Sequence, residues 1–190
     1  GVAQRSKLWK KNFFPPHMLI MTATPIPRTL AMTAYGDLDI SIIDELPKGR
    51  LEIKTFLKSD SKRLEIFNFI KKQINEGRQI YIVYPLIEES KKMDYKDLMD
   101  GYESISREFP LPKYKISILH GKMKYDEKKI EMKRFIKGET QIMVATTVIE
   151  VGVNIPNASV MIIESAEKFG LSQLHQLRGR VGRGSFQSYC

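Results

Sequence analysis

An unusual density of arginine and glycine lies near the end of the chain. Residues 176–184 contain three arginines and three glycines, and they close a stretch that is predicted to be helical. Arg180 and Arg183 are three residues apart, so on a helical turn they share one face. A guanidinium binds phosphate oxygens through paired N–H groups and stays charged at every physiological pH. This spacing indicates a pair that neutralises the charge on a phosphoryl group, although an isolated R-G-R would more often be a surface patch.

A second candidate segment lies between two predicted strands. Thr146 and Thr147 follow the apolar run 141–145, and their hydroxyls and backbone amides can bind a nucleic-acid phosphate. Gly152 and Asn154 can approach the sugar of a nucleotide. Open α/β sheets bind their ligands at the carboxyl ends of the strands. We therefore expect this segment, and the arginine pair with it, near that edge, although alone it would be an ordinary strand-to-loop transition.

The third candidate is the segment 21–29, in which hydroxyl residues at a strand end precede a rigid turn. Pro25 and Pro27 exclude both a regular helix and a central strand at this point. Thr22 and Thr24 stand at the turn, where they could relay a signal between two sites. Alone, this signal is weak.

Several common sites are absent from the sequence. No G-x-x-x-x-G-K-[ST] phosphate loop occurs, because Gly121-Lys122 is followed by Met123. The three histidines are widely separated and Cys190 is the only cysteine, so we expect neither a metal site nor a disulfide. Residues 42–45 imitate a metal-binding strand, but no phosphate loop precedes them.

The composition favours a globular protein with an anionic partner. The 190 residues carry 31 basic and 22 acidic side chains, a formal net charge of +9, and 42% of them are hydrophobic. These values are ordinary for a folded chain and do not suggest a disordered tail. The longest apolar runs are far shorter than the roughly 20 residues that span a bilayer. The excess of positive charge makes nucleic acid the first candidate partner.

Strands and helices alternate along most of the chain, and these elements must position the candidates. Apolar and β-branched runs predict strands at residues 51–57, 79–84, 115–119, 141–145 and 159–163. Amphipathic patterns predict helices from about residue 60 and at 94–109, 125–136 and 171–177. The first helix has Leu64, Phe67, Ile70 and Ile74 along one face, and the third has Ile130, Met132, Phe135 and Ile136 as its apolar positions. The fold class is therefore α/β, a parallel sheet with helices on both faces.

The chain divides into three predicted parts. Residues 51–190 form the α/β domain, and residues 37–50, with Pro47 and Gly49, form a linker. Residues 1–36 offer one strand and a helix or two, which cannot build a core. We interpret them as the remnant of another domain.

Together and in this order, the three candidates resemble motifs III, V and VI of superfamily 2 helicases. The segments MTATPIPRTLA, YPLIEES, LHGKMK and FGLSQLHQLRGRVGRG are similar to those of the RecG family of bacterial branch-migrating DNA helicases. The resemblance covers nearly the whole chain. It implies a RecA-like second motor domain, cut after motif VI, with the first 36 residues carrying motif III of the first motor domain.

The resemblance assigns a role to each candidate residue. Arg180 and Arg183 would contact the γ-phosphate of ATP across the cleft between two motor domains, and Gln176 would help from the same helix. Gly152 and Asn154 would lie near the nucleotide, although many superfamily 2 proteins have an acidic residue at the position of Asn154.

Two further sets of residues receive roles by the same resemblance. Thr22 and Thr24 would couple the state of the nucleotide to the grip on DNA. The residues expected to face the DNA backbone are His120, Gly121, Lys122, Thr146 and Thr147.

The family also implies what a longer protein would do. It would be an ATP-dependent DNA helicase of the bacterial cytoplasm and nucleoid, acting on branched DNA such as replication forks and Holliday junctions in recombination and repair. ATP and Mg²⁺ would be bound mainly by the first motor domain, whose catalytic carboxylates are expected just before residue 1. Its other partners would be the first motor domain and a wedge domain of the same chain, with no membrane. We expect the 190 residues alone to hydrolyse no ATP, because they lack the Walker A and B motifs.

Two alternatives remain open from the sequence. One is the motor of the transcription-repair coupling factor, which shares the threonine-proline and arginine segments. The other is a nucleic-acid-binding domain without enzymatic activity.

Overall fold

The computed structural model describes residues 49–85, 91–146 and 155–190, together with residues 19, 21, 41–43 and 45; at 91–97 it describes the backbone alone. The chain divides into two units, residues 1–41 and residues 42–190. The fold below is that of the second unit. The boundaries at residues 36 and 50 that the sequence suggested stay predictions.

Four parallel strands form the sheet of this unit. They are β1 (Gln79–Tyr84), β2 (Ile116–Leu119), β3 (Ile142–Thr146) and β4 (Ala158–Ile163). Their spatial order is β2-β3-β1-β4, so the chain crosses over between neighbours. All residues of β1 and β3 are buried, as expected for parallel strands covered on both faces.

Within the described ranges, four α-helices connect and cover the strands. They are α1 (Arg63–Asn75), α2 (Lys91–Glu108), α3 (Tyr125–Ile136) and α4 (Leu171–Arg178). Single 3₁₀ turns, Asp60–Lys62 and Ala166–Lys168, precede α1 and α4. No helix in the described ranges is long and apolar enough to cross a membrane.

Alternate residues of the strands build two hydrophobic layers. On one face Ile80 and Ile82 of β1 pack with Phe67 and Ile70 of α1 and with residues of α2. On the other face Tyr81 and Val83 pack with residues of α3 and α4. The Tyr81 ring lies 5.0 Å from that of Phe135, between centroids. This three-layer α/β/α arrangement confirms the predicted fold class.

The segment 51–57, predicted as a strand, extends the sheet without forming a regular strand. Lys54 N–H donates to the Ser188 carbonyl at 3.0 Å, and Tyr189 N–H donates to that of Ser159 at 2.8 Å. Lys54 and Tyr189 form a single parallel bridge, as do Val160 and Tyr189. The last residues of the chain therefore lie between β4 and the segment 51–57.

The apolar positions of two predicted helices are only partly buried. Leu64 is 73% exposed, because Arg63 occupies the inner position four residues before Phe67 and seven before Ile70. Ile130 and Ile136 of α3 are also exposed, since the sheet covers only the side of that helix that carries Met132 and Phe135.

Candidate functional site

A tight loop continues α4 and carries the two predicted arginines. The Gly179 N–H donates to the carbonyl of His175 at 3.0 Å, and the Arg180 N–H donates to that of Leu177 at 2.9 Å. Val181 follows and is fully buried in the layer between the sheet and α4. We call residues 179–184 the arginine loop. Its helical hydrogen bonds and its buried valine fix its position on the sheet.

Two glycines of the arginine loop lie where no side chain fits. Gly182 has a φ of +73°, and a Cβ there would lie 2.8 Å from Cγ1 of Ile53. A Cβ on Gly184 would lie 2.6 Å from the carbonyl oxygen of Pro156. The glycines thus allow the loop to press against the residues that flank it.

The arginine side chains share one environment. Arg180 is half-buried and Arg183 exposed, and the Arg183 Nε–H donates to the Gly179 carbonyl at 3.2 Å. Burial raises the pKa of Tyr81 to about 12, while the positive charges of Arg180 and Arg183 oppose that rise. The positive charges of Arg180 and Arg183 therefore both act on the Tyr81 hydroxyl. No acidic side chain among the described residues forms an ion pair with either arginine, so the charge of both is available to an anion.

The arginine loop lies at the opposite end of the sheet from the one expected. Pro156, which touches Gly184, comes two residues before β4 begins, so this contact marks the amino end of that strand. The reason is topological: the connection leaves the carboxyl end of β4, and α4 then leads the chain back along the sheet. The expectation that the arginine pair lies at the carboxyl edge was wrong.

A different group of predicted residues does lie at the carboxyl edge. His120 follows β2 directly, and Thr146 ends the neighbouring strand β3. Since Leu119 pairs with Ala145 in the parallel register, His120 comes beside Thr146. Gly121 and Lys122 extend from the same edge and are exposed. The structure thus brings four of the five residues predicted for nucleic acid together.

Charge and burial shape this carboxyl edge. Burial lowers the pKa of His120, and the positive charges of Lys122 and Lys128 lower it further, whereas Glu127 opposes them. The imidazole is therefore biased towards its neutral form beside two lysines, of which Lys122 is exposed and Lys128 half-buried. The Thr146 hydroxyl is buried and makes no hydrogen bond within the described part of the chain.

The remaining predicted residues divide into two sets. Gln176 lies on α4 and is exposed. Those that lie outside the described residues are Thr22, Thr24, Thr147, Gly152 and Asn154. Their roles stay predictions.

No local sequence pattern indicated the long-range contacts of Arg50, Arg63 and Glu164. Arg50 donates from Nε to the Gly182 carbonyl at 2.7 Å across 132 positions. Arg63 and Glu164 form two contacts, at 3.2 and 3.4 Å, where the chain leaves β4 towards α4. Such long-range pairs leave no local pattern, although an arginine at an inner helix position could have indicated a buried partner for Arg63.

The donor set suits phosphate and not a metal ion. Guanidiniums without an acidic partner match phosphate oxygens in charge and geometry. Among the described residues, no three acidic, histidine or cysteine side chains come together in a way that could hold a metal ion. Any Mg²⁺ that accompanies a nucleotide would need ligands from elsewhere.

A parallel sheet between two helical layers, with an arginine loop after its last helix, defines a RecA-like second motor domain of the helicase type. The chain belongs to the family described as the helicase conserved C-terminal domain, which matches residues 61–185. It is 53% identical over 190 residues to the ATP-dependent DNA helicase RecG of Synechocystis sp. and 51% identical to that of Bacillus subtilis. The whole chain is covered in both comparisons, but only 23% and 28% of the relatives.

A solved structure supports the same relationship. The structure of RecG bound to a three-way DNA junction superimposes with a TM-score of 0.72 at 46% sequence identity. The match covers 88% of this chain and 21% of that one. The chain therefore spans about a quarter of the length of the proteins it resembles.

The glycine packing of the arginine loop yields a first prediction. Gly182→Ala should destabilise the domain by about 1–2 kcal/mol or more, because it combines a left-handed backbone with a close approach to Ile53. Gly121→Ala is the matched control, since a Cβ there meets nothing within 4 Å. Urea denaturation of both variants measures the difference. Equal stability of the two variants would show that the loop is not packed as described.

Proposed function

We propose that the chain is the second motor domain of an ATP-dependent DNA helicase that acts on branched DNA. The observation that carries the proposal is the arginine loop, where Arg180 and Arg183 both act electrostatically on Tyr81 and neither forms an ion pair with an acidic side chain among the described residues. Identity of about one half to RecG proteins over all 190 residues favours this assignment over the coupling-factor motor.

The two arginines would act on the γ-phosphate of ATP. During phosphoryl transfer, negative charge spreads over the equatorial oxygens of the γ-phosphoryl group. Arg180 and Arg183 would bind these oxygens and stabilise that charge, while Gln176 would contribute an amide from the same helix. The phosphate loop, the Mg²⁺ ligands and the group that orients the attacking water would come from the first motor domain of a longer protein. Mg²⁺ would supply further neutralisation of the phosphate charge when bound.

The carboxyl edge would face DNA. Exposed Lys122, with the neighbouring backbone of Gly121, suits contacts to the phosphates of a nucleic-acid backbone, which carry no sequence information. Thr147 would complete this surface, whereas Thr146 is only 2% exposed and would support it from behind. Gly152 and Asn154 would lie towards the nucleotide. Branched DNA is the proposed substrate because the similar RecG structure holds a three-way junction.

The distance between the two groups gives the domain its role in a motor. A strand of six residues is about 20 Å long, so the arginine loop and the DNA-facing edge lie roughly that far apart. Because a packed sheet moves as one body, closing the cleft on ATP would carry the DNA-facing edge with it. Thr22 and Thr24 would link the two events. Such a helicase would serve recombination and repair at the nucleoid in the bacterial cytoplasm.

Loss of one arginine tests the catalytic part of the proposal. In the full-length protein, Arg183→Ala should lower DNA-stimulated ATP turnover by about 100-fold or more, because an arginine finger contributes roughly 10³–10⁵ in rate. DNA affinity should change little, since Arg183 lies away from the carboxyl edge. Steady-state ATPase kinetics and fluorescence anisotropy with a labelled junction measure both quantities.

Two controls accompany that experiment. Arg107→Ala removes an exposed arginine of α2 that pairs with Glu103, and it should leave turnover unchanged. The 190 residues alone should show no ATPase activity. Equal loss of turnover and DNA affinity in Arg183→Ala would instead assign this arginine to DNA contact.

Loss of one lysine tests the DNA-facing edge. Lys122→Ala in the full-length protein should weaken junction binding and reduce the slope of log affinity against log salt by about 1, because one phosphate contact releases about one counterion. Lys72→Ala removes the same charge from the exposed end of α1, on the other side of the sheet, and should leave the slope unchanged. Identical slopes for wild type and Lys122→Ala would show that residues 120–122 do not belong to the DNA-binding surface.

A further inference from the structure

We propose that Arg50 is a positioning residue that holds the arginine loop in its active geometry; the proposal rests on the function proposed above. The Arg50 Nε–H donates to the carbonyl oxygen of Gly182 at 2.7 Å, in a half-buried contact between residues 132 positions apart. A hydrogen bond with a charged donor is about twice as strong as a neutral one. Arg50 therefore holds the loop more firmly than an uncharged donor would.

The acceptor of this hydrogen bond, the Gly182 carbonyl oxygen, belongs to the peptide unit directly before Arg183. The carbonyl of Gly182 and the N–H of Arg183 belong to one planar peptide unit, so fixing the oxygen fixes the backbone from which the Arg183 side chain starts. Gly182 has a φ of +73°, a conformation in which glycine has wide freedom when nothing restrains it. The bond from Arg50 supplies that restraint.

The neighbours of Arg50 hold it against the loop. Ile53 lies three residues on and packs against Gly182, and Lys54 is hydrogen-bonded to Ser188 at the edge of the sheet. Arg50 is thus placed by an extended segment that the sheet itself holds in register. Its position therefore rests on backbone contacts of this segment with Ser188 and Cys190 as well as on packing against the arginine loop.

The contact also links the arginine loop to the predicted linker. Arg50 is the last residue of the predicted linker, residues 37–50. A displacement of the linker that moves Arg50 would act, through this hydrogen bond, on the peptide unit between Gly182 and Arg183. The contact would therefore connect the movement between two motor domains to the placement of the arginine finger.

Kinetics of the full-length protein test this role. Arg50→Ala should lower kcat for DNA-stimulated ATP hydrolysis by about 5- to 50-fold, with the KM for ATP and the affinity for a DNA junction within about 3-fold of wild type. Arg50→Lys keeps a charged donor and should retain at least about a third of the wild-type kcat. Arg107→Ala is the control for removal of an arginine from an exposed site.

A double-mutant cycle separates positioning from general support of the structure. If Arg50 acts through Arg183, adding Arg50→Ala to Arg183→Ala should change kcat by less than about 2-fold. Losses that multiply would show that Arg50 acts independently, and the positioning role would be wrong. Arg50→Met keeps much of the apolar stem and replaces Arg50→Ala in the cycle if that variant is unfolded at the assay temperature.

Failure of this inference can be told apart from failure of the proposed function. If wild type hydrolyses no ATP on DNA, or if Arg183→Ala retains full turnover, the proposed function fails. If Arg183→Ala is impaired while Arg50→Ala or Arg50→Met equals wild type, only the role of Arg50 fails.

Discussion

Two guanidinium groups without an acidic partner among the described residues are held over the sheet by a loop that needs glycine at two positions. Arg180 and Arg183 carry like charges within one short loop, and that loop is held by packing and hydrogen bonds against its neighbours. Within the loop, Val181 is fully buried, Gly182 packs against Ile53, and Gly184 packs against the Pro156 backbone. The fold thus supports a concentration of positive charge whose natural counterpart is an anion.

The sheet separates this charge from the other candidate surface. The arginine loop lies at the amino end of β4, whereas His120 and Lys122 follow the carboxyl end of β2. Both faces of the sheet are covered by helices and its central strands are fully buried, so neither end can move without the other. The proposed response to a nucleotide at one end and to DNA at the other would need this rigidity.

Local patterns predicted most of the fold and less of the site. β1 and α3 have their predicted limits because apolar periodicity and flanking glycines define them. Periodicity could not show that Arg63, and not Leu64, faces inward, because the choice depends on Glu164 far along the chain. The contact of Arg50 with Gly182 could not be predicted for the same reason, because it joins residues 132 positions apart. The prediction that the arginines lie at the carboxyl edge was wrong, because α4 leads the chain back along the sheet to the amino end of β4.

The most direct test compares two nucleotides that differ in the γ-phosphate. Isothermal titration of the full-length protein would measure the affinities of ADP and of a non-hydrolysable ATP analogue, in wild type and in the double variant Arg180→Ala/Arg183→Ala. Each hydrogen bond to a charged group contributes about 1.5–3 kcal/mol, so the double variant should bind the ATP analogue at least about 10-fold more weakly. Its ADP affinity should stay within about 2-fold of wild type. An equal loss for both nucleotides, or no loss for either, would contradict a contact between these arginines and the γ-phosphate.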